Sequence, residues 1–499
     1  LAELDSHAER GSWVLVPPLK VGGRRVWGFK WLRKYKFHPD GSLKRRKSRL
    51  TIRAFTKAMV QGIDYEEKHA GTVRWTSVLV ICAIAAHLKL KIWLFDIQTF
   101  FLYGKLGPNE QLFMRQPTGH EVEGKEDWIC KLQVSIYGCP QGAHRARKEL
   151  VAQLVNEGGF TQLKSDDNVY VLRHGEDLVV LGTHVDDILS AGTPRGLQRV
   201  QTCLEGKFKI TVDKNPSIYI GSVIERNIEE GWLKLHQAHY IKQMLEQFGM
   251  TDCKERSTPM EVGLDSTRPT VGTSVEAKAV VKEFQTICGM LMWLRTRPDI
   301  AFARSFLCRF LSCAGPTQLQ WARQVLRYLK GTASLGLVFQ AGDDFKLQGA
   351  VDADLAGDLH TSRSTAGLFL RMGECGAVVS TSNLMTLVSD SSAMAETYAG
   401  KQLAREVMWL RDFLAELGFK QLGATPVHAD NQSMINQTKN PVNHARSKHY
   451  RIAQAFLREL VEWEVLSYLY TDTKLNEADV FTKALARDLF ERHCRVVMG

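Results

Sequence analysis

The 499-residue sequence has ten cysteines but no Cys-x-x-C pair. Such scatter argues against a zinc ribbon and against a disulfide framework, and fits a reducing compartment. Long apolar runs are missing too. The longest, "SVLVICAIAA" from Ser77 to Ala86, is followed by His87, Lys89 and Lys91. It is too short to span a bilayer and reads as a buried helix, so no membrane partner is expected. The start, "LAELDSHAER", has no apolar h-region and no Met. No secretory leader is therefore expected, and the chain reads as a piece of a longer product. There is no internal repeat and no low-complexity tract. Acid is nearly absent from residues 20 to 58, where fourteen Lys or Arg face only Asp40. That net of +13 exceeds the +11 of the whole chain.

What is present is enough for real cores. Hydrophobic residues make up 44% of the chain, which excludes disorder as the default. The length suggests about three domains of ordinary size. Within the basic segment, Trp27, Phe29, Trp31, Tyr35 and Phe37 recur every second or fourth residue. "RVWGFKWLRKYKF", the turn "HPDGS" and "LKRRKSRLTIRAF" read as a basic β-hairpin. A solvated charged face is the plain explanation. Aromatics alternating with cations favour a surface for a polyanion.

Three Asp-Asp pairs occur. Asp166-Asp167 and Asp343-Asp344 sit in polar stretches that read as turns. Asp186-Asp187 differs, because "DLVVLGTHV" precedes it and "ILSAG" follows. Successive strand side chains point to opposite faces, so adjacent carboxylates converge best at a hairpin tip. Asp96, at the end of the β-like run "KLKIWLFD", supplies a third. Three carboxylates suit a two-metal site for phosphoryl transfer, and hard oxygen ligands suit Mg2+. The triphosphate of a nucleotide would need cations, for which Lys47, Arg49 and Arg53 are at hand. Gln141, in "YGCPQGAH", can hold a base or a nucleotide, although a glutamine in a Gly/Pro turn is ordinarily only a turn residue.

A new α/β pattern begins near residue 346. Strands "FKLQGAVDA", "TAGLFLRM" and "GAVVST" lead to a long helix, "SSAMAETYAGKQLAREVMWLRDFLAEL", and then to the strand "TPVHAD". Asp352 and Asp354 end a strand, Glu396 lies on the helix, Asp430 ends a strand, and Asp479 opens a helix. Singly, each reads as a strand-end Asp, a surface Glu or an N-cap. Together they suit a four-carboxylate, two-metal nuclease.

Many stretches now agree in order and spacing. "FKWLRKYKFHPDGSLKRRKSRLTIRAFTKAMVQGIDYEEKHAGTVRWTS", "FDIQTFFLYGKL", "FMRQPTGHE", "ICKLQVSIYGCPQ", "HVDDILSAG", "YIKQMLEQFGM" and "TRPDIAFA" resemble a copia-type LTR retrotransposon Pol polyprotein, from about residue 12 to 490. "VDADLAGD", "AETYAG", "HADNQS", "NPVNHARSKH" and "EADVFTK" resemble its RNase H domain. The resemblance implies an α/β and α+β chain built as a right-hand polymerase. Fingers with the basic hairpin would cover residues 1–95, palm 96–230, thumb 231–265, linker and connection helices 266–345, and an RNase H-like domain 346–499. It implies Asp96, Asp186 and Asp187 as the polymerase metal ligands, Phe101 as an aromatic gate against a ribose 2′-OH, and Gln141 as a nucleotide contact. It implies Asp352, Glu396, Asp430 and Asp479 as the nuclease ligands. Two Mg2+ ions per site follow, with Mn2+ as the alternative.

The partners implied are an RNA template, a DNA primer, their RNA–DNA hybrid and deoxynucleoside triphosphates, with a dimer or other Pol and Gag products as protein partners. A cytoplasmic virus-like particle is the implied location, with the nucleus as the alternative. The chain departs from the pattern at several positions. His184 replaces a Tyr, Phe100 an Ala and Gln98 a Lys. Gly142, Ala143, His144 and Ala146 replace an Ala-Pro-Arg stretch ending in Trp. Met394 replaces an acid, and Leu355 a Trp. The ring of Phe100 is expected to crowd the incoming nucleotide. No role follows for His444 or His449. Three readings stand: a polymerase with a hybrid nuclease, a decayed copy that binds nucleic acid without catalysis, and a protein retaining only the nuclease. The presence of all seven acids favours the first.

Overall fold

The computed structural model describes residues 2–37, 42–53, 59–61, 65, 67–107, 109–270, 272, 274–342, 344–439 and 450–499. His444 and His449, and the hairpin turn at 38–41, lie outside the described residues. The chain divides into two compact units. The first comprises residues 1–74, 93–163 and 167–214, and the second 75–92, 164–166 and 215–499.

The first unit is built on a six-stranded sheet. Its spatial order is Ile210–Asp213, Lys91–Ile97, Asp187–Gly192, Asp177–His184, Val169–His174 and Thr161–Gln162. Alternation sends Trp93, Phe95 and Ile97 into one core with Val179, Leu181 and Ile188. Two helices close it. Pro194–Glu205 presents Leu197, Val200 and Leu204 at helical spacing, and Gly142–Ala152 presents Ala146 and Leu150. Thr193 caps the first of these through the Gly196 N–H.

The basic segment forms an antiparallel hairpin of Phe29–Phe37 and Leu43–Ile52, with Lys34 opposite Lys47 and Leu32 opposite Arg49. Like charges directly opposite are destabilising, so the hairpin must be held at its base. There Leu50 and Ile52 are buried with Trp27, Leu112, Met114 and Ile136. Ile52 donates its N–H to the Tyr137 carbonyl at 2.9 Å. Gly138 follows at φ +93°, and a Cβ there would meet the Ile52 carbonyl at 2.4 Å. Only glycine allows that approach.

The second unit has two sheets. Ile218–Tyr219, Ser222–Asn227, Trp232–His236 and Leu337–Gln340 form one, and helix Ala238–Gln247 follows its third strand. The other has the order Ala377–Leu384, Arg363–Met372, Leu347–Asp358, Thr425–Ala429 and Leu466–Tyr470. The last three strands run parallel. Helix Ser392–Glu416 packs on this sheet with Leu403, Val407 and Leu410 buried. Helix Trp75–His87, buried from Ser77 to Ala86, belongs to this unit. Among the described residues no helix is long and apolar enough to cross a membrane.

The Ser/Thr/Pro-rich stretch near residue 260 is an ordered strap. Ser266 is buried, donates to the Gly357 carbonyl at 3.3 Å and accepts from the Leu359 N–H at 2.6 Å. "TRPDIAFA" bends at a 3-10 turn, Pro298–Ile300. Arg297 and Asp299, both fully buried, pair there at 2.7 Å, and the Tyr328 hydroxyl donates to Asp299 at 2.6 Å.

Candidate active sites

In the first unit the acids meet through the backbone. The Ile97 N–H donates to the Asp186 carbonyl at 3.0 Å, so Asp96 stands beside the hairpin tip. That hairpin closes with His184 opposite Asp187, which leaves Val185 and Asp186 as a two-residue turn. Val185 sits at φ +61°. The left-handed region suits glycine and costs a β-branched residue about 1–3 kcal/mol. Asp186 is half-buried, and Asp96 and Asp187 are exposed. The three carboxylates are neighbours on the sheet without forming a close cluster. Among the described residues, the one set of three drawn within 4.8 Å lies in the second unit. Charge repulsion between exposed carboxylates favours such spreading.

Of the nucleotide-contact candidates, Arg49 and Phe101 meet around one ring, that of Tyr137. Lys47 and Arg49 fall on one face of their strand by its period of two, and Arg53 follows directly after the strand's last residue, Ile52. The Arg49 guanidinium lies 4.6 Å from the centre of the Tyr137 ring, and Phe101 packs on Tyr137 at 5.1 Å. Gln141 is fully buried and precedes helix Gly142–Ala152. Burial raises the Tyr137 phenol, Arg49 opposes that, and the charges of Glu3 and then Asp186 add to it. Tyr137 therefore links the basic hairpin and Phe101. Sequence reasoning missed it, although it stands in the same "YGCPQ" stretch as Gln141.

Phe100 corrects an expectation. Its ring is 2% exposed and belongs to the core with Trp93, Phe95, Tyr103 and Leu150. Phe100 and Phe101 open a 3-10 turn, Phe100–Tyr103, and only Phe101 is half-exposed. Crowding of a nucleotide by Phe100 is not what this geometry gives. Gln98 instead donates to Thr211 Oγ1 at 3.0 Å, and His144 contacts the His69 carbonyl at 2.7 Å.

In the second unit the acids converge tightly. Asp352 lies on the central strand, Asp430 directly follows the neighbouring parallel strand, and Glu396 sits one turn into the long helix. One carboxylate oxygen from each of these three lies within 4.8 Å of the others. Asp479 is in the 3-10 turn Glu477–Phe481, tied to the Asp352 strand by Asn476 donating to the Val351 carbonyl at 2.9 Å. Thr482 donates to Asp352, Thr473 to Asp430 at 2.7 Å, and the Ala353 N–H to Glu396 Oε1 at 3.2 Å. Met394 is buried and Leu355 is exposed.

The electrostatics are those of crowded acids. Burial pushes Glu396 well above its ordinary value, and the charges of Asp352 and Asp430 push it further. Burial likewise raises Asp479 to about 7, with Asp352 adding and Lys483 opposing. Lys483, which sequence reasoning passed over, stands 2.8 Å from Asp479. Glu396 Oε2 is buried without a hydrogen-bond partner among the described residues. Buried carboxylates with an unpartnered oxygen fit a hard divalent cation. Asp352, Glu396 and Asp430 can hold one, with Asp479 beside them.

The family described as reverse transcriptase (RNA-dependent DNA polymerase) matches residues 12–262, and the chain belongs to it. Pol polyproteins of transposons are among its curated relatives, as the copia-type resemblance implied. One is the retrovirus-related Pol polyprotein from transposon TNT 1-94 of Nicotiana tabacum, 36% identical over all of this chain and 37% of that protein. Another is the Pol polyprotein from transposon RE1 of Arabidopsis thaliana, 30% identical over 98% of this chain and 33% of that protein. The chain thus spans only 37% and 33% of the length of these relatives. A solved foamy viral protease–reverse transcriptase in complex with double-stranded DNA matches 94% of this chain and 68% of its own, with a TM-score of 0.52 and 12% identity. That likeness is one of fold.

Proposed function

We propose that the chain copies RNA into DNA and cleaves the RNA of the resulting hybrid. The observation that carries this reading is the occurrence of two separate carboxylate sets within a reverse transcriptase chain, one at a hairpin tip in the unit that also carries the basic hairpin and one in an α/β unit. The proposal keeps the right-hand division, with fingers at 1–95, palm at 96–230, thumb at 231–265, connection at 266–345 and an RNase H-like domain at 346–499.

Asp96, Asp186 and Asp187 would hold magnesium for synthesis, and Asp352, Glu396, Asp430 and Asp479 for cleavage, with manganese as the alternative ion. Bound there, the ions supply activation of the attacking oxygen and neutralisation of the leaving one. The chain's own residues do the rest. Lys47, Arg49 and Arg53 meet the triphosphate. Phe101, braced by Tyr137, closes the sugar edge, and buried Gln141 fixes the floor. RNA template, DNA primer, RNA–DNA hybrid and deoxynucleoside triphosphates are the proposed partners, and a cytoplasmic particle the proposed setting.

The test is extension of an oligo-dT primer on poly-rA, with and without magnesium, together with release of label from RNA in a hybrid. Magnesium-dependent extension and release are expected. Hybrid binding with neither activity would favour the alternative, a decayed copy that only binds nucleic acid. The departure at His184, directly opposite Asp187, is the feature that keeps this alternative in view.

A further inference from the structure

Lys483 stands four positions after Asp479, and its Nζ reaches Asp479 Oδ1 at 2.8 Å. The backbone fixes this approach, because the N–H groups of Thr482 and Lys483 both donate to the Asp479 carbonyl, at 3.2 and 3.3 Å. The Lys483 side chain is 41% exposed, and that of Asp479 is 2% exposed. The four acids are therefore unequal. Asp352, Glu396 and Asp430 bring one oxygen each within 4.8 Å of the others, whereas Asp479 is the acid in direct contact with Lys483, whose charge is also held by Asp352. Beside Lys483 lies a cavity of about 220 Å³ walled by Phe302, Phe306, Arg309, Asp354 and Thr365. It gives the ammonium room to swing and a second acid, half-buried Asp354, to meet. Asp354 already feels the Lys483 charge, which opposes the upward push of burial.

Resting on the nuclease reading above, we infer that Lys483 is a positioning residue that makes the two metal positions unequal. Asp352, Glu396 and Asp430 would hold a first divalent ion, and Asp479 would become available to a second only when Lys483 releases it and turns to Asp354. Lys483 thereby sets the order of loading and sets a threshold of metal concentration for cleavage.

The experiment is a calorimetric titration of Mn2+ into the full chain carrying Asp96→Asn and Asp187→Asn, so that only the nuclease acids bind. One tighter and one weaker step are expected. Lys483→Met keeps the aliphatic stem and removes the charge. It should tighten the weaker step by about 10- to 100-fold, the range over which groups touching metal ligands tune affinity. Lys483→Arg should leave that step weak. Thermal melts establish that each variant is folded. A weaker step that is unchanged or loosened in Lys483→Met overturns the inference, as do two equal steps before any change at Lys483. Absence of Mn2+ binding that Asp352→Asn can remove defeats the nuclease reading itself, a different and recognisable failure.

Discussion

Phe100 and Phe101 are neighbours with opposite fates. Phe100 is sealed in the core of the first unit, and Phe101 leans on Tyr137. The substitution Phe100→Ala should accordingly act on stability. Removing a buried phenyl ring typically costs about 3–5 kcal/mol. The urea midpoint of the first unit is expected to fall, and dTTP incorporation per folded molecule to stay level or drop. A severalfold gain in kcat/KM with stability unchanged would return the ring to the nucleotide. The carboxylates were legible in the sequence because strand flanks and turn residues give Asp96, Asp186 and Asp187 their positions. The direction of Phe100 was not, since two adjacent aromatics in a 3-10 turn carry no period that says which one faces in. Tyr137 was hidden for another reason. Its partners Arg49 and Phe101 are far away in sequence, and only the tertiary contact gives it a role.

At the scale of elements, the basic hairpin brings cations face to face. Lys34 opposite Lys47 is a cost the fold tolerates through burial of Leu50 and Ile52 at the base. A polyanion would relieve that repulsion. Replacing Lys34, Arg46 and Lys47 with Gln should weaken binding to an RNA–DNA hybrid and flatten its salt dependence. Each lost phosphate contact changes the log–log slope by roughly one unit. A slope that does not move in a filter-binding titration would make these residues an ordinary solvated face.

The bend in "TRPDIAFA" makes the opposite use of charge. Burial alone would raise the Asp299 carboxyl, but the Arg297 guanidinium outweighs it and holds the group below its usual range. A depressed pKa in the folded state means that the pair contributes above the unfolded pKa, about 4, and that this contribution is lost as pH falls. At neutral pH, Asp299→Asn leaves Arg297 buried without its counter-charge and should cost about 3–5 kcal/mol. In melts taken down the pH scale, the gap between wild type and variant should close in acid. A gap of constant size would mean that the pair is not what the variant disturbs. This pair had no role legible in the sequence, because its burial rests on Thr332 and Tyr328, far along the chain.

Over the whole molecule, the α/β pattern after residue 346 was readable because its strands and its 25-residue helix carry strong periods. The regrouping of helix Trp75–His87 with the second unit was not, because it rests on contacts made far along the chain. Each unit has its own core and its own acids, and this sets the last prediction. Asp186→Asn changes a hairpin tip in the first unit, and Asp352→Asn changes a central strand in the second. Asn keeps the shape of Asp and removes the charge that, in the proposed reading, would hold a divalent ion. Asp186→Asn should reduce primer extension by about a thousandfold or more, the scale seen when a catalytic set that acts as a unit loses a member. Release of label from a preformed hybrid should stay within a few-fold of wild type. Asp352→Asn should give the reverse pattern. Both activities are to be measured on the same preparations, with melting curves showing that the fold persists. Parallel loss of both in either variant would mean that the two carboxylate sets do not serve separate reactions.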